Sequence, residues 1–157
     1  RLGKKGEPKI HSDLKNFVIG KSITIKEGEE ICFLSTGSTI SLALETANKL
    51  EDKGISVRVE SMHTVKPLET NLLKDIFNRY QVIVTIEEHS ILGGLGGSIA
   101  EWKADQLNAK AQLVRYGTED RFLETVGTQE YAREEYGLSV DKMVEQVTAR
   151  LKIIYKK

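Results

Sequence analysis

The chain holds 157 residues, 39% hydrophobic and 29% charged, which is enough for one domain with a substantial core. Its 23 Lys plus Arg balance 23 Asp plus Glu, so no net field points to nucleic acid or to a membrane surface, and no stretch approaches the roughly 20 apolar residues that span a bilayer. The single cysteine, Cys32, excludes an internal disulfide and suits a reducing compartment, and with no signal-peptide pattern the expected location is the cytoplasm.

Residues 1–16 are polar and aperiodic, with Gly3, Gly6 and Pro8, and read as a linker or an arm. The domain proper is expected from residue 17 to residue 157. Val18-Ile19 and Ile23-Thr24-Ile25 are short β-prone runs, Glu27-Gly28-Glu29 is a turn, and Ile31-Cys32-Phe33-Leu34 is continuously apolar. So tight a connection predicts an antiparallel pair. After Thr36-Gly37-Ser38-Thr39, the apolar positions Ile40, Ala43, Leu44, Ala47 and Leu50 have helical spacing, with Ser38 or Thr39 available as N-cap and Gly54 closing the helix. Ile55, Val57 and Val59 alternate with polar residues, which predicts a half-exposed strand. A second helix carries Leu73, Ile76, Phe77 and Tyr80 on one face. Then come a buried strand over 82–86, a helix from about Ser98 to Leu107, an alternating strand over 112–116, and a closing helix over 139–155 with Val140, Met143, Val144, Val147 and Leu151 on one face. Between the last two, residues 127–137 are looser, with one helical turn.

Strand and helix alternating through short links predict an α/β fold. The expected form is a three-layer, open, mostly parallel five-stranded sheet with one antiparallel strand and helices on both faces. Strands 31–34 and 82–86, apolar throughout, should be central, and strands 55–60 and 113–116 should lie nearer the edges.

The segment Glu87-Glu88-His89-Ser90-Ile91-Leu92-Gly93-Gly94-Leu95-Gly96-Gly97-Ser98 lies where an open α/β sheet places its ligands. It fails as a dinucleotide fingerprint: counted from Gly94, the third glycine would fall on Ile99, and Val114 stands where the acid belongs. Backbone N–H groups at a helix start could still hold an anion, and residues 93–97 therefore support a free-standing anion- or nucleotide-binding module as one reading. The other is that the glycines let the helix approach the sheet. His11, His63 and His89 have no metal-ligand spacing, and no nucleophile partners the acids. Thr36-Gly37-Ser38-Thr39 lacks the lysine of a P-loop. Trp102 reads as a core or interface anchor, and Glu130, Arg133, Glu134 and Glu135 as a solvated face. No catalytic, cofactor-binding or metal-binding residue is expected in this chain.

The order of motifs resembles the C-terminal domain of the transketolase family. Ile19-Gly20-Lys21 followed by Glu27-Gly28-Glu29 is similar to its opening, and the run from Thr36 to Glu45 to its first strand–helix turn. The run from Val57 to Leu68, with Lys66-Pro67-Leu68, is similar to its second strand and next helix entrance. Residues 84–96 are similar to its most distinctive signature, and Asp120-Arg121-Phe122 and Tyr136-Gly137-Leu138 to tails of transketolase and 1-deoxyxylulose-5-phosphate synthase. The resemblance implies a domain that packs on upstream pyrimidine- and diphosphate-binding domains, helps build a homo-oligomer and does not itself catalyse. It implies thiamine diphosphate and Mg in the complete enzyme, with neither bound by this chain. It implies two-carbon ketol transfer between sugar phosphates, with the synthase and the 2-oxoacid dehydrogenase beta subunit as alternatives. Arg1 resembles an arginine that contacts the sugar phosphate in several members, and a gene continuing upstream of Arg1 is expected.

Overall fold

Ile31, Cys32, Phe33 and Leu34 can all be buried only in a strand covered on both faces, and all four are fully buried. Burial of one such side chain stabilises by about 1.5–3 kcal/mol, so this strand anchors the domain. The computed structural model describes residues 6–11 and 17–155. In chain order its elements are β1 (Ile23–Lys26), β2 (Ile31–Ser35), a 3-10 turn (Gly37–Thr39), α1 (Ile40–Glu51), β3 (Val57–Ser61) and α2 (Thr70–Arg79). Then follow β4 (Val82–Ser90), α3 (Leu95–Ala104), β5 (Gln112–Thr118), α4 (Gln129–Glu135) and α5 (Val140–Tyr155).

The strand order is β1-β3-β2-β4-β5, with β1 antiparallel and the other pairs parallel. The side-chain period of two divides the core between the faces. Ile31, Phe33, Val57, Val59, Val82, Val84 and Ile86 meet α1 and α5. Cys32, Leu34 and Ile83 meet α2 and α3 through Leu73, Ile76, Phe77, Leu95 and Ile99. The three layers and the mostly parallel sheet are as the sequence predicts. Gly54 ends α1 with φ +80°, and its N–H donates to Glu51 O.

Four local expectations need correction. The antiparallel strand β1 pairs with β3, Ile23 facing Ser61, and does not form a hairpin with β2. The connection instead crosses the start of β3, where a Cβ on Gly28 would stand 2.2 Å from the Val57 carbonyl carbon. Tyr80 fixes this crossing by donating its hydroxyl to Gly28 O at 2.7 Å. Second, β3 is not half-exposed: β1 covers its outer edge and Glu60 is fully buried. The Glu60 carboxylate accepts from Ser22 Oγ (2.9 Å), Thr24 Oγ1 (2.7 Å) and Arg58 Nε (2.7 Å). A buried charge needs such a partner set. Third, Val18-Ile19 forms a turn instead of a strand, with Lys21 N donating to Val18 O and Gly20 at φ +84°. Fourth, Thr39 stands at the N-cap position of α1, as expected, but its side chain makes no capping bond. Thr39 Oγ1 lies 2.9 Å from both Thr36 O and Ile86 O and ties the turn to β4.

Candidate functional site

The signature segment is at the carboxyl ends of β2 and β4, where α1 leaves for one side of the sheet and α3 for the other. In an open α/β sheet this is the ligand crevice. Its chemistry follows from one difference between expectation and structure. β4 does not stop at Ile86 but runs on to Ser90, with Ser90 opposite Thr118 after an irregularity in the ladder. Strand alternation then turns Glu87 and His89 to the face of Ile83 and Thr85, and Glu88 to the opposite face with Val84 and Ile86.

Glu87 is buried, and its carboxylate accepts from Leu95 N at 2.7 Å through Oε2 and from Gly96 N at 2.7 Å through Oε1. These are charge-assisted bonds to the first N–H groups of α3, at the positive end of the helix dipole. The helix accordingly begins at Leu95, three residues ahead of the expected start. The expected role of its glycines is found at two positions. A Cβ on Gly94 would stand 2.0 Å from Glu87 Oε2, and one on Gly96 would stand 2.6 Å from Thr85 Oγ1. The helix entrance that the sequence offered to an outside anion is thus filled by an anion of the chain itself, which overturns the reading of residues 93–97 as an anion- or nucleotide-binding module.

Glu88 closes the other half of the crevice. It accepts from Ser38 Oγ at 2.8 Å, from Gln129 Nε2 at 2.7 Å and from the Arg133 guanidinium. Partial burial pushes its carboxyl upward, but hydrogen bonds from Gln129, Arg133 and Ser38 and the guanidinium charge outweigh this and hold it below the usual carboxylate range. Arg133 also donates to Ser38 Oγ at 3.0 Å, so it belongs to this cluster and not to a solvated face. The short helix α4 that carries Gln129 and Arg133 is capped by Thr128, whose Oγ1 accepts from Tyr131 N. What remains beneath α4 is a space of about 50 Å³ between Glu88, Thr118, Ala132, Arg133, Tyr136 and Leu138. That holds a water or two, not a substrate.

The other titratable groups do not assemble a site. His89 is exposed, and its Nδ1 donates to Ser90 O at 2.8 Å. His63 is stacked on Phe17 with ring centroids 4.0 Å apart, its Nδ1 is 3.1 Å from Thr64 Oγ1, and its buried Nε2 has no hydrogen-bond partner. Burial and the nearby His11 push the His63 imidazole below its ordinary value. His11 itself reaches Ser61 Oγ at 3.1 Å. Among the described residues no group of three or more His, Cys, Asp or Glu side chains could hold a metal. Burial and the Glu60 charge push the Cys32 thiol upward, so it is no nucleophile. Trp102 is half-buried against Phe77, with ring centroids 5.5 Å apart. Arg1 lies outside the described residues. Sequence reasoning missed the Glu60–Arg58 pair and the roles of Glu87 and Arg133.

The structure is thus an open, mostly parallel α/β sheet whose strand-end crevice is closed by its own carboxylates. The chain belongs to the transketolase C-terminal domain family, which it matches over residues 20–143. The 1-deoxy-D-xylulose-5-phosphate synthase of Bacillus cereus (strain AH187) is 36% identical over 140 residues, covering 88% of this chain and 22% of the synthase. The Bacillus anthracis synthase gives the same figures, 36% over 140 residues. Among solved structures, a split gene transketolase described as an inactive beta4 tetramer has a TM-score of 0.83 at 33% identity, covering 94% of this chain and 47% of that one. The transketolase from Campylobacter jejuni shares the fold at TM-score 0.59 and 24% identity, over 91% of this chain and 20% of that one. The chain therefore spans only 22% of the length of the curated relatives it matches. No helix among the described residues is long and apolar enough to cross a membrane.

Proposed function

We propose that the chain is the assembly domain of a thiamine-diphosphate-dependent, cytoplasmic transketolase-type enzyme that transfers two-carbon ketol units between sugar phosphates. Residues 17–157 form this domain, and residues 1–16 end an upstream pyrimidine-binding domain in which Arg1 contacts the substrate phosphate. The observation that carries the reading is the closed crevice, with Glu87 on the α3 N–H groups and Glu88 under Arg133. The described residues do not fit thiamine diphosphate or its metal: the one helix start shaped for a phosphate is filled by a carboxylate, and no acid cluster would hold a divalent ion. Both groups belong to the upstream domains, and no reaction step is assigned here. The split gene relative described as an inactive beta4 tetramer supports a part that assembles but does not turn over alone.

A second reading, 1-deoxyxylulose-5-phosphate synthase, is favoured by the 36% identity to the synthases. The test is to assay the chain alone and the complete protein with thiamine diphosphate and Mg, using either a ketose phosphate or pyruvate as donor with an aldose phosphate acceptor. The chain alone is expected to be inactive. CO2 release from pyruvate by the complete protein selects the synthase, and ketol transfer without it selects transketolase. Turnover by the chain alone overturns both.

A further inference from the structure

The two edges of the sheet differ. At one end β1 covers β3 and carries a bulge, whereas β5 at the other end pairs with β4 alone. Gln112 N donates to Gln81 O, so in this parallel ladder Gln112, Val114 and Tyr116 direct their backbone groups at β4. Alternation then turns the N–H and C=O groups of Leu113 and Arg115 away from the sheet, and among the described residues no other strand meets them. The devices that guard such an edge are missing from β5. It has no Pro or Lys, and its register with β4 is regular from Gln112 to Tyr116. Arg115, its one charged residue, is drawn inward and donates to Ile91 O at 2.9 Å.

A cleft of about 640 Å³ runs along this edge, lined from both faces of the strand: Tyr116, Ala149 and Ile153 on the α5 side, Arg115 and Gly117 on the α3 side. The α5 side is apolar, and its Ile153 remains 68% exposed. The charge of the cleft is positive. Glu119, the one acid in its lining, is already paired with Arg121 at 2.7 Å. Arg150 is exposed on α5, and among the described residues no carboxylate pairs with it or with Arg115. An occupant therefore needs an extended backbone with free donors and acceptors, apolar side chains at every second residue, and carboxylates for the two arginines. A second copy of β5 meets these needs poorly. The fullest antiparallel pairing of two such strands sets Arg115 against Arg115, and like charges directly opposite are destabilising.

We propose that the outer edge of β5 is a docking site for an extended, acidic segment of another protein, which adds to the sheet as a further strand. Its apolar side chains enter the cleft beside Tyr116 and Ile153, and its carboxylates reach Arg150 and Arg115. Main-chain bonds to the edge supply affinity in this mode, and the alternating side chains supply choice.

The probe is a labelled, end-capped heptapeptide that alternates Glu and Val, matched to the seven residues of β5 and titrated by fluorescence anisotropy. It should bind both the complete protein and this chain. The same peptide with Lys for Glu, or with Pro for its central Val, should bind at least about tenfold more weakly, for want of charge in one and of a ladder donor in the other. Arg150→Glu should weaken binding of the Glu–Val peptide by a similar factor, while Lys152→Glu, on α5 but outside the cleft, should leave it unchanged. Bound peptide should slow hydrogen exchange of the Leu113 and Arg115 amides at least about tenfold. The proposal is overturned if the complete protein does not bind the peptide, if the Lys or Pro peptide binds equally, or if Arg150→Glu has no effect. Unchanged exchange at Leu113 and Arg115 also overturns it. So does protection of those amides without peptide: growth with concentration assigns the edge to a second copy, and protection in the complete protein alone assigns it to another domain of that protein.

Discussion

Replacing Glu87 by Ala tests the closed crevice most directly. The carboxylate satisfies Leu95 N and Gly96 N at 2.7 Å each from a buried position at a helix start. Truncation leaves two backbone N–H groups without acceptors, each costing about 1–3 kcal/mol, and removes a favourable charge from the helix dipole, worth up to about 2 kcal/mol in a buried setting. Relief of the carboxylate's own desolvation offsets part of this. The net loss should be about 3–5 kcal/mol, close to the cost of breaking a buried ion pair. For a chain of this size that corresponds to a fall of about 10 °C in Tm. Glu87→Gln should fall about midway, because its amide oxygen satisfies one N–H while its NH2 faces the other. Urea unfolding at neutral pH, followed by circular dichroism, gives the values if m is unchanged between variants. A Glu87→Ala protein within about 0.5 kcal/mol of wild type would refute the reasoning, because surface substitutions away from special features give changes of that size.

Gly96→Ala should cost about 1–3 kcal/mol in the same urea experiment, since its Cβ would press Thr85 Oγ1 at 2.6 Å. Glu60→Ala should lose about 3–5 kcal/mol by removing the buried carboxylate that Arg58, Ser22 and Thr24 share and leaving Arg58 only Thr24 and the exposed Glu27, and an apolar replacement of both Arg58 and Glu60 should recover most of it. Glu88 has its folded pKa below the usual 4.5, so its contribution is present above that value and is lost as pH falls through the lower, folded one. The stability difference between wild type and Glu88→Gln should therefore be constant at neutral pH and shrink below about pH 4.5, as read from urea midpoints across pH. Cys32, with its thiol pushed upward by burial, should resist a thiol reagent in the native chain and react on unfolding, as labelling with and without denaturant would show.

The layers, the central strands and the faces of α1, α2 and α5 were legible because apolar residues recur at the period of their element. Polar residues that satisfy one another inside were not. Glu87-Glu88-His89 reads as a loop because the apolar run ends at Ile86, yet pairing with β5 resumes at Ser90 and carries the strand through. The sequence cannot show that Glu87 turns inward until that extension fixes its parity. Arg133 looked solvated on a short polar helix, and only the docking of α4 on Glu88 gives it a partner. The connection after β1 looked like a hairpin turn, because nothing local reveals that Gly28 is there to slip past the backbone of Val57.

That crossing has a consequence for how the domain avoids its own kind. β3 would be the sheet's outer strand without β1, offering a parallel-sheet edge with a carboxylate, Glu60, on its face. Bare edges of this kind pair with other chains. β1 is thus a short cover strip recruited from the front of the chain, and its four residues, Ile23–Lys26, end the sheet with a bulge between Thr24 and Lys26 that discourages further pairing. A chain trimmed past Lys26 would keep both hydrophobic layers and lose its protection against self-association, so aggregation would be the first symptom of that trimming.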